Sequence, residues 1–475
     1  MSFPTFAFAY FFLLTITGYW LLQGRRTAQK VLLLGASYVF YAGWDLTLFC
    51  LLAGVSYIDW VISEAIVKAR GTPRARRLLA LGIACNLALL CVFKLYDFFR
   101  ESLDTLTRLF GVSSHLPVLE ILLPVGLSFY TFQGLAYLID TYRGTAYRAR
   151  SMLDFLLFMA FFPKLLAGPI CRSYQLLPQL TSDGPTEVPE LSRAVTLIVT
   201  GLFKKIVLAS LLATRLVDDA FATPSHYSPR ELVVAVYAYS VQIYFDFSGY
   251  TDMARGLALL LGFELPENFA YPYAATDLGA YWRRWHMTFS SWLREYIYFP
   301  LGGSRVAPLR VYFNLFVTFL VCGIWHGSRW TFVLWGGIHG VGLAVHRAYR
   351  DVRRRYGFTG KPGPLFLCFG WAATLSFCAF ARIPFKAPEI ETAGEFVRAM
   401  FAADAHSDRS VDLVVVVVTV LGVVLNFVGR PIFEAVVQAH ARVPTYWRPV
   451  AWVAAGALLF ALKTQDVAPY IYFGF

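Results

Sequence analysis

Long apolar runs recur from one end of this chain to the other, and no other feature limits its fold as strongly. They cover Phe3–Leu22, Val31–Val67, Leu78–Phe93, Ile121–Ile139, Val195–Leu212, Leu232–Tyr244, Val311–Val321, Leu365–Phe380, Val411–Val428 and Val450–Leu462. A helix needs about 20 largely apolar residues to cross a bilayer, and fewer where protein shields its ends. Val31–Val67 is long enough to cross twice, with Ala42–Asp45 ("AGWD") as the turn. Charged residues make up only 15% of the 475, against about 25% in soluble domains. The pattern predicts an all-α polytopic integral membrane protein of about 10–12 hydrophobic segments. It forms one membrane-embedded domain over residues 1–475, with no soluble domain and no nucleic-acid partner.

The formal net charge of +12 is concentrated at Arg25/Arg26/Lys30, Lys68–Arg77, Arg143/Arg148/Arg150 and Arg347–Arg355. Short loops rich in Lys and Arg stay cytoplasmic, which places the N-terminus outside and Arg25/Arg26 inside after one crossing. Such clusters serve topology and contact with anionic membrane lipids; attraction of an anionic cytoplasmic substrate is the sharper reading. Phe3–Leu22 lacks the basic start and small-residue cleavage site of a signal peptide and reads as a retained helix. The seven cysteines show no C-x-x-C spacing. Those in apolar runs (Cys50, Cys85, Cys91, Cys322, Cys368 and Cys378) read as small buried hydrophobes.

Four stretches combine polar groups and helix breakers with apolar surroundings. Phe161–Leu180 holds Pro163, Gly168 and Pro169, with Lys164 and Arg172 expected to face a cavity or the inner surface. Irregular backbone at membrane depth is tolerated where it lines a cavity or is buried in protein. Tyr239–Gly256 carries Asp246 and Asp252, a carboxylate pair suited either to acid–base work or to pinning helices through neighbouring arginines. Tyr281–Arg305 carries Arg283, Arg284, Arg294 and Arg305, too many charges for a plain span. It predicts an interfacial or partly buried helix with Trp282, Trp285 and Trp292 at headgroup level and His286 on the face shared by Trp282 and Trp285.

The fourth stretch, Val321–Gly340, places His326 between Trp325 and Gly327, with His339 thirteen residues on. A lone histidine on an apolar face is ordinarily a hydrogen-bonded core residue. Here Gly323, Gly327, Gly336 and Gly337 are expected to leave room for a ligand, and aromatic residues to wall a passage. No H-E-x-x-H or other ligand spacing suggests a metal. Cys322, one turn before His326, is a small packing residue or the nucleophile of a Cys–His pair.

These stretches resemble the membrane-bound O-acyltransferases, specifically their bacterial branch associated with alginate O-acetylation. The resemblance rests on "AGPICRSYQLLPQL", "QIYFDFSGYTDMARGLALLLGF", "NFAYPYAATDLGAYWRRWHMTFSSWLREYIYFPLGGSR" and "GIWHGSRWTFVLWGGIHG", in that order, over about residues 122–340. It implies a helical bundle with re-entrant or interfacial segments around a central tunnel, in a bacterial cytoplasmic membrane. It also implies transfer of an acetyl group from a cytoplasmic thioester such as acetyl-CoA, with no bound cofactor. The acceptor lies on the way to an extracytoplasmic polysaccharide of alginate, peptidoglycan or cellulose type, commonly reached through a periplasmic SGNH-type acetyltransferase partner. His326 would be the central catalytic histidine and His286 the second.

The chemistry of the residues agrees. A neutral imidazole, with an ordinary pKa of about 6.5, can take the proton of an attacking hydroxyl near neutral pH. His286, tryptophan indoles or backbone N–H groups near Gly323 and Gly327 are candidate oxyanion donors. Arg283, Arg284, Arg294 and Arg305, with Trp282, Trp285 and Trp325, are candidates to hold the donor and its phosphates. Asp246, Asp252, Gly327, Pro169 and Arg172 would shape the site. A transporter or flippase, or an inactive scaffold, is the competing reading from another class.

Overall fold

In a computed structural model, the chain is described over residues 3–111, 116–118, 124–184, 187–357, 360, 362–402, 410–463 and 468–471. The described residues form helices and connecting turns. They group into two compact units, Met1–Gly201 with Tyr250–Glu267, and Leu202–Gly249 with Asn268–Phe475.

Six helical stretches among the described residues are long and apolar enough to cross a membrane: Leu46–Lys68, Pro73–Leu109, Leu191–Ala222, Pro308–His326, Pro364–Lys386 and Leu413–Arg442. The remaining predicted runs form shorter helices, such as Phe6–Leu21, Leu127–Arg143 and Arg448–Leu462. Leu232–Tyr244 instead belongs to a helix of 32 residues, Pro229–Leu260. Residues 238–251 of that helix are all buried, so protein rather than lipid surrounds them and polar side chains are tolerated there.

In the first unit Val31–Val67 divides at a turn before Asp45 into Arg26–Ala42 and Leu46–Lys68, of which only the second is long and apolar enough to cross a membrane, and the Asp45 carboxylate caps it. It accepts from the N–H groups of Thr47 (2.7 Å) and Leu48 (3.1 Å), satisfying donors that a helix start leaves open. Ile62, Ile66 and Leu138 form a buried core against Leu78 and Leu79. The irregular stretch contains the short helix Phe162–Leu165, a break around Pro169, and the helix Ser173–Thr181. Lys164 is buried and donates to Gln133 and to the Met159 carbonyl, as a buried ammonium needs acceptors close by. Part of the basic N-terminal cluster is also engaged within the protein. Arg26 donates to the carbonyls of Gln179 (2.8 Å) and Ser182 (3.1 Å), and Lys30 pairs with Asp154 at 2.6 Å.

The second unit is organised around a helical hairpin, Pro308–His326 returning through a short turn into Trp330–Arg355. Gly323 and Gly336 let the two backbones touch. A Cβ on Gly323 would lie 2.3 Å from the Phe332 carbonyl oxygen, and one on Gly336 would lie 2.4 Å from that of Phe319. These glycines therefore make a helix crossing, not ligand space. Gly327 offers no room either, since the Phe332 ring sits 2.2 Å from where its Cβ would be. Gly337 alone of the four faces open space. Gly336→Leu is expected to cost about 1–3 kcal/mol or more through overpacking against backbone, seen as lost monodisperse yield and a lower melting temperature in detergent. Gly337→Ala should leave both unchanged.

Cys322 and Cys378 are buried as expected, but Cys50, Cys85, Cys91 and Cys368 lie on exposed helix faces, where lipid is as apolar as a core. Beyond the hairpin, the polar interruption forms Ile390–Met400, an amphipathic helix; residues 403–409 of its loop lie outside the described residues.

Candidate active site

His326 is the last residue of its helix, and the extended Gly327 that follows turns the chain sharply. Its imidazole, 6% exposed, is ringed by aromatic side chains. Trp325 (4.6 Å between ring centroids) is tilted against it, and Phe289 (6.1 Å), Trp335 (4.9 Å) and Phe385 (5.1 Å) meet it edge-on. Trp335 comes from the returning helix, so the glycine crossing fixes where that indole stands.

His286 reaches the same cluster from the other sequence segment. The predicted continuous helix does not form: Leu278–Trp282 ends, and Met287–Leu293 starts afresh. His286 lies in the break with φ +43°, a left-handed conformation that a non-glycine residue holds only where its surroundings determine it. Asn268 supplies that constraint. Its carbonyl accepts from Met287 N–H at 2.9 Å, and its side-chain oxygen accepts from Thr288 N–H (3.3 Å) and Thr288 Oγ1 (3.0 Å).

The same Asn268 oxygen lies 3.1 Å from His286 Nδ1. A backbone N–H only donates, so the bond from Thr288 identifies that Asn268 atom as oxygen. The His286 bond must then come from an Nδ1–H, leaving the lone pair on Nε2. Burial lowers this imidazole, which lies outside the spanning helices, from 6.5 to about 3, so it is neutral at physiological pH. Neutral with Nδ1–H engaged, His286 is an acceptor rather than the oxyanion donor that the sequence suggested.

The break separates the tryptophans. Trp282 packs edge-on against Phe319 (4.6 Å) and His339 (5.1 Å), whereas Trp285 stacks on Tyr281 at 5.7 Å. Trp282, Trp285 and Trp292 are 8%, 7% and 5% exposed, so they are core rather than headgroup anchors.

His286 and His326 share two neighbours: Phe289 at 5.1 and 6.1 Å, and Trp325 at 6.5 and 4.6 Å. Residues 149–381, which include both histidines, match the membrane-bound O-acyltransferase family, MBOAT. The probable alginate O-acetylase AlgI of Pseudomonas putida is 34% identical over the whole of both chains. The chain belongs to the membrane-bound O-acyltransferase family. It is an O-acyltransferase. The peptidoglycan O-acetyltransferase of Helicobacter pylori is 36% identical over 85% of this chain and 80% of its own. The teichoic acid D-alanyltransferase of Streptococcus thermophilus is 29% identical over 47% and 57%.

In this O-acyltransferase, Arg283, Arg294 and Arg305 are exposed and Arg284 is half-buried. Within the first unit, Arg172 is buried at the start of Ser173–Thr181, and Asp252 is half-buried. Asp246 is not pinned by arginines. It pairs with Lys205 and accepts from Ile471 N–H at 2.9 Å, while Lys205 also donates to the carbonyls of Ala468 and Pro469 at 3.0 Å.

Sequence reasoning passed over Asn268, Trp335, Phe385 and Arg382. Arg382 is buried, donates to Ser240 Oγ and the Cys378 carbonyl (3.1 Å each) and to Tyr281, and lies 4.8 Å over the Trp285 ring. It thereby holds the start of the broken segment in place. Its only sequence signal is an arginine directly after an apolar helix. The buried indole N–H groups of Trp282 and Trp335 meet no acceptor among the described residues, and Trp335 stands beside His326.

Proposed function

We propose that this enzyme takes an acetyl group from a cytoplasmic thioester of the acetyl-CoA class and passes it outward for O-acetylation of an extracytoplasmic polysaccharide. It does so in a bacterial cytoplasmic membrane, with an extracytoplasmic acetyltransferase of SGNH type completing delivery. The observation that carries this reading is the convergence of His286 and His326 on Phe289 and Trp325 within one buried aromatic cluster. The names of the relatives support the acetyl group and the polysaccharide.

In this reading His326 accepts the proton of the acceptor hydroxyl as its oxygen bonds to the thioester carbonyl carbon. The C–S bond then breaks, and the same proton passes to the departing thiolate. Neutral His286, with its lone pair on Nε2, orients the hydroxyl or relays its proton. The Trp335 indole N–H supplies a donor toward the developing oxyanion in a setting where water is excluded and such a bond is strong. Arg283, Arg294 and Arg305 offer charge at the entrance for donor phosphates.

The test uses the purified protein in liposomes with acetyl-CoA labelled in the acetyl group. Free CoA is expected to accumulate, slowly with water as acceptor and faster with a hydroxyl acceptor. No release of free CoA with any hydroxyl acceptor would overturn acetyl-CoA as the donor. Within the same assay, Asn268→Leu, which frees the His286 tautomer, is expected to lower turnover by roughly 10²-fold. Near-wild-type turnover would remove His286 from the proton path.

A further inference from the structure

The second unit contains a cavity of about 1150 Å³ whose lining includes neither His286 nor His326. It runs along one stripe of the helix Trp330–Arg355, stepping through Leu334, Ile338, Val341, Val345, Tyr349 and Arg353. The helix Pro364–Phe380 forms the opposite wall through Phe366, Gly370 and Phe377. Val341, Val345 and Phe366 are exposed, so the groove opens outward from two apolar helices. From Leu334 to Arg350 it extends roughly 24 Å at 1.5 Å per residue, longer than one leaflet of a hydrocarbon core about 30 Å thick.

The two ends differ in charge. The Leu334 end is apolar, and Gly337, which lines it, would carry a Cβ into empty space. The other end holds Arg350 and Arg353, with Asp277 and His346, 3.4 Å from each other, also in the lining. Arg347 on the same turn is neutralised by Asp351 at 3.0 Å, but among the described residues Arg350 and Arg353 have no carboxylate partner. Arg353 is held at the mouth between the rings of Tyr349 (5.9 Å) and Phe366 (5.7 Å).

We propose that this groove binds one anionic glycerophospholipid, its acyl chain along the apolar stripe and its phosphate on Arg350 and Arg353. Charge complementarity and length select this occupant. The pantetheine arm of a CoA donor carries amides that need hydrogen-bond partners along their length, and between Leu334 and Val345 the helix lines the groove with no polar side chain. Hydrocarbon needs none. The bound chain lies next to the active site, since Phe377 also packs edge-on against His339 at 5.4 Å, and His339 lies 4.8 Å from Trp335. The proposal is independent of which acyl group or acceptor the enzyme uses.

The experiment places the full-length protein in nanodiscs of equal phosphatidylglycerol and phosphatidylcholine, releases it, and measures retained lipid by native mass spectrometry. Phosphatidylglycerol is expected to dominate the retained lipid. Arg350→Ala with Arg353→Ala should reduce that preference on the order of 30-fold, from about 1 kcal/mol per basic residue, and the double lysine variant should restore most of it. Gly337→Leu, which fills the groove from an open position, should reduce retention of both lipids while the melting temperature holds. Equal retention of the two lipids by the wild type, or an unchanged preference in the double alanine variant, would overturn the proposal. So would displacement of the lipid by excess acetyl-CoA, which would make the groove a donor path.

Discussion

His326→Ala is expected to lower acyl transfer by about 10²–10⁴-fold, the range that a positioned general base supplies, while abundance and membrane insertion stay near wild type. The imidazole sits at a helix end, in contact with rings from several separate elements. Removing it leaves a cavity whose aromatic walls remain held by their own neighbours, such as Phe332 against Phe385 at 5.1 Å. Loss of the base should therefore separate from loss of the fold. Labelled acetyl-CoA turnover and thermal melting, measured on one preparation, check both halves. Full turnover in the variant would exclude His326 from the reaction.

The second large effect concerns stability. Lys205→Met is expected to destabilise the protein by about 3–5 kcal/mol, because it leaves the Asp246 carboxylate buried without its cation. The pair is almost sealed from solvent, at 5% and 2% side-chain exposure. Lys205 also ties down Ala468 and Pro469, while Asp246 accepts from Ile471, so release of the C-terminal segment should accompany the loss. Adding Asp246→Leu to Lys205→Met should recover much of the stability, since removing both charges also removes the desolvation cost. Limited proteolysis near the C-terminus and melting in detergent read the two effects. A double variant no better than the single one would mean that the segment's other contacts dominate.

Much of the site was legible as residue types. The W-R-R-W-H and W-H-G elements marked His286 and His326 because polar residues among apolar runs are costly and few. The arrangement was not legible. A helix drawn through Trp282, Trp285 and His286 puts them on one face. The helix instead ends at Trp282, so that Trp282 packs on Phe319 and His339 and Trp285 on Phe269 and Tyr244, and His286 then takes a left-handed turn. Nothing local announces that turn, because its cause is Asn268, eighteen residues earlier. The glycines near His326 looked like ligand space for a similar reason. Whether a missing side chain makes a void or a contact depends on the backbone opposite it.

Alone, the sequence determined that the chain lives in a membrane, where its polar stretches interrupt the apolar helices, and which two histidines carry the resemblance. Those follow from transfer free energies and residue identity, which are properties of each segment. Only the tertiary structure decided that the two histidines share aromatic neighbours, that His286 presents an acceptor, that Asp246 answers to a lysine, and that a charged-ended groove remains open. Those depend on long-range contacts, which a chain specifies only once its helices have packed.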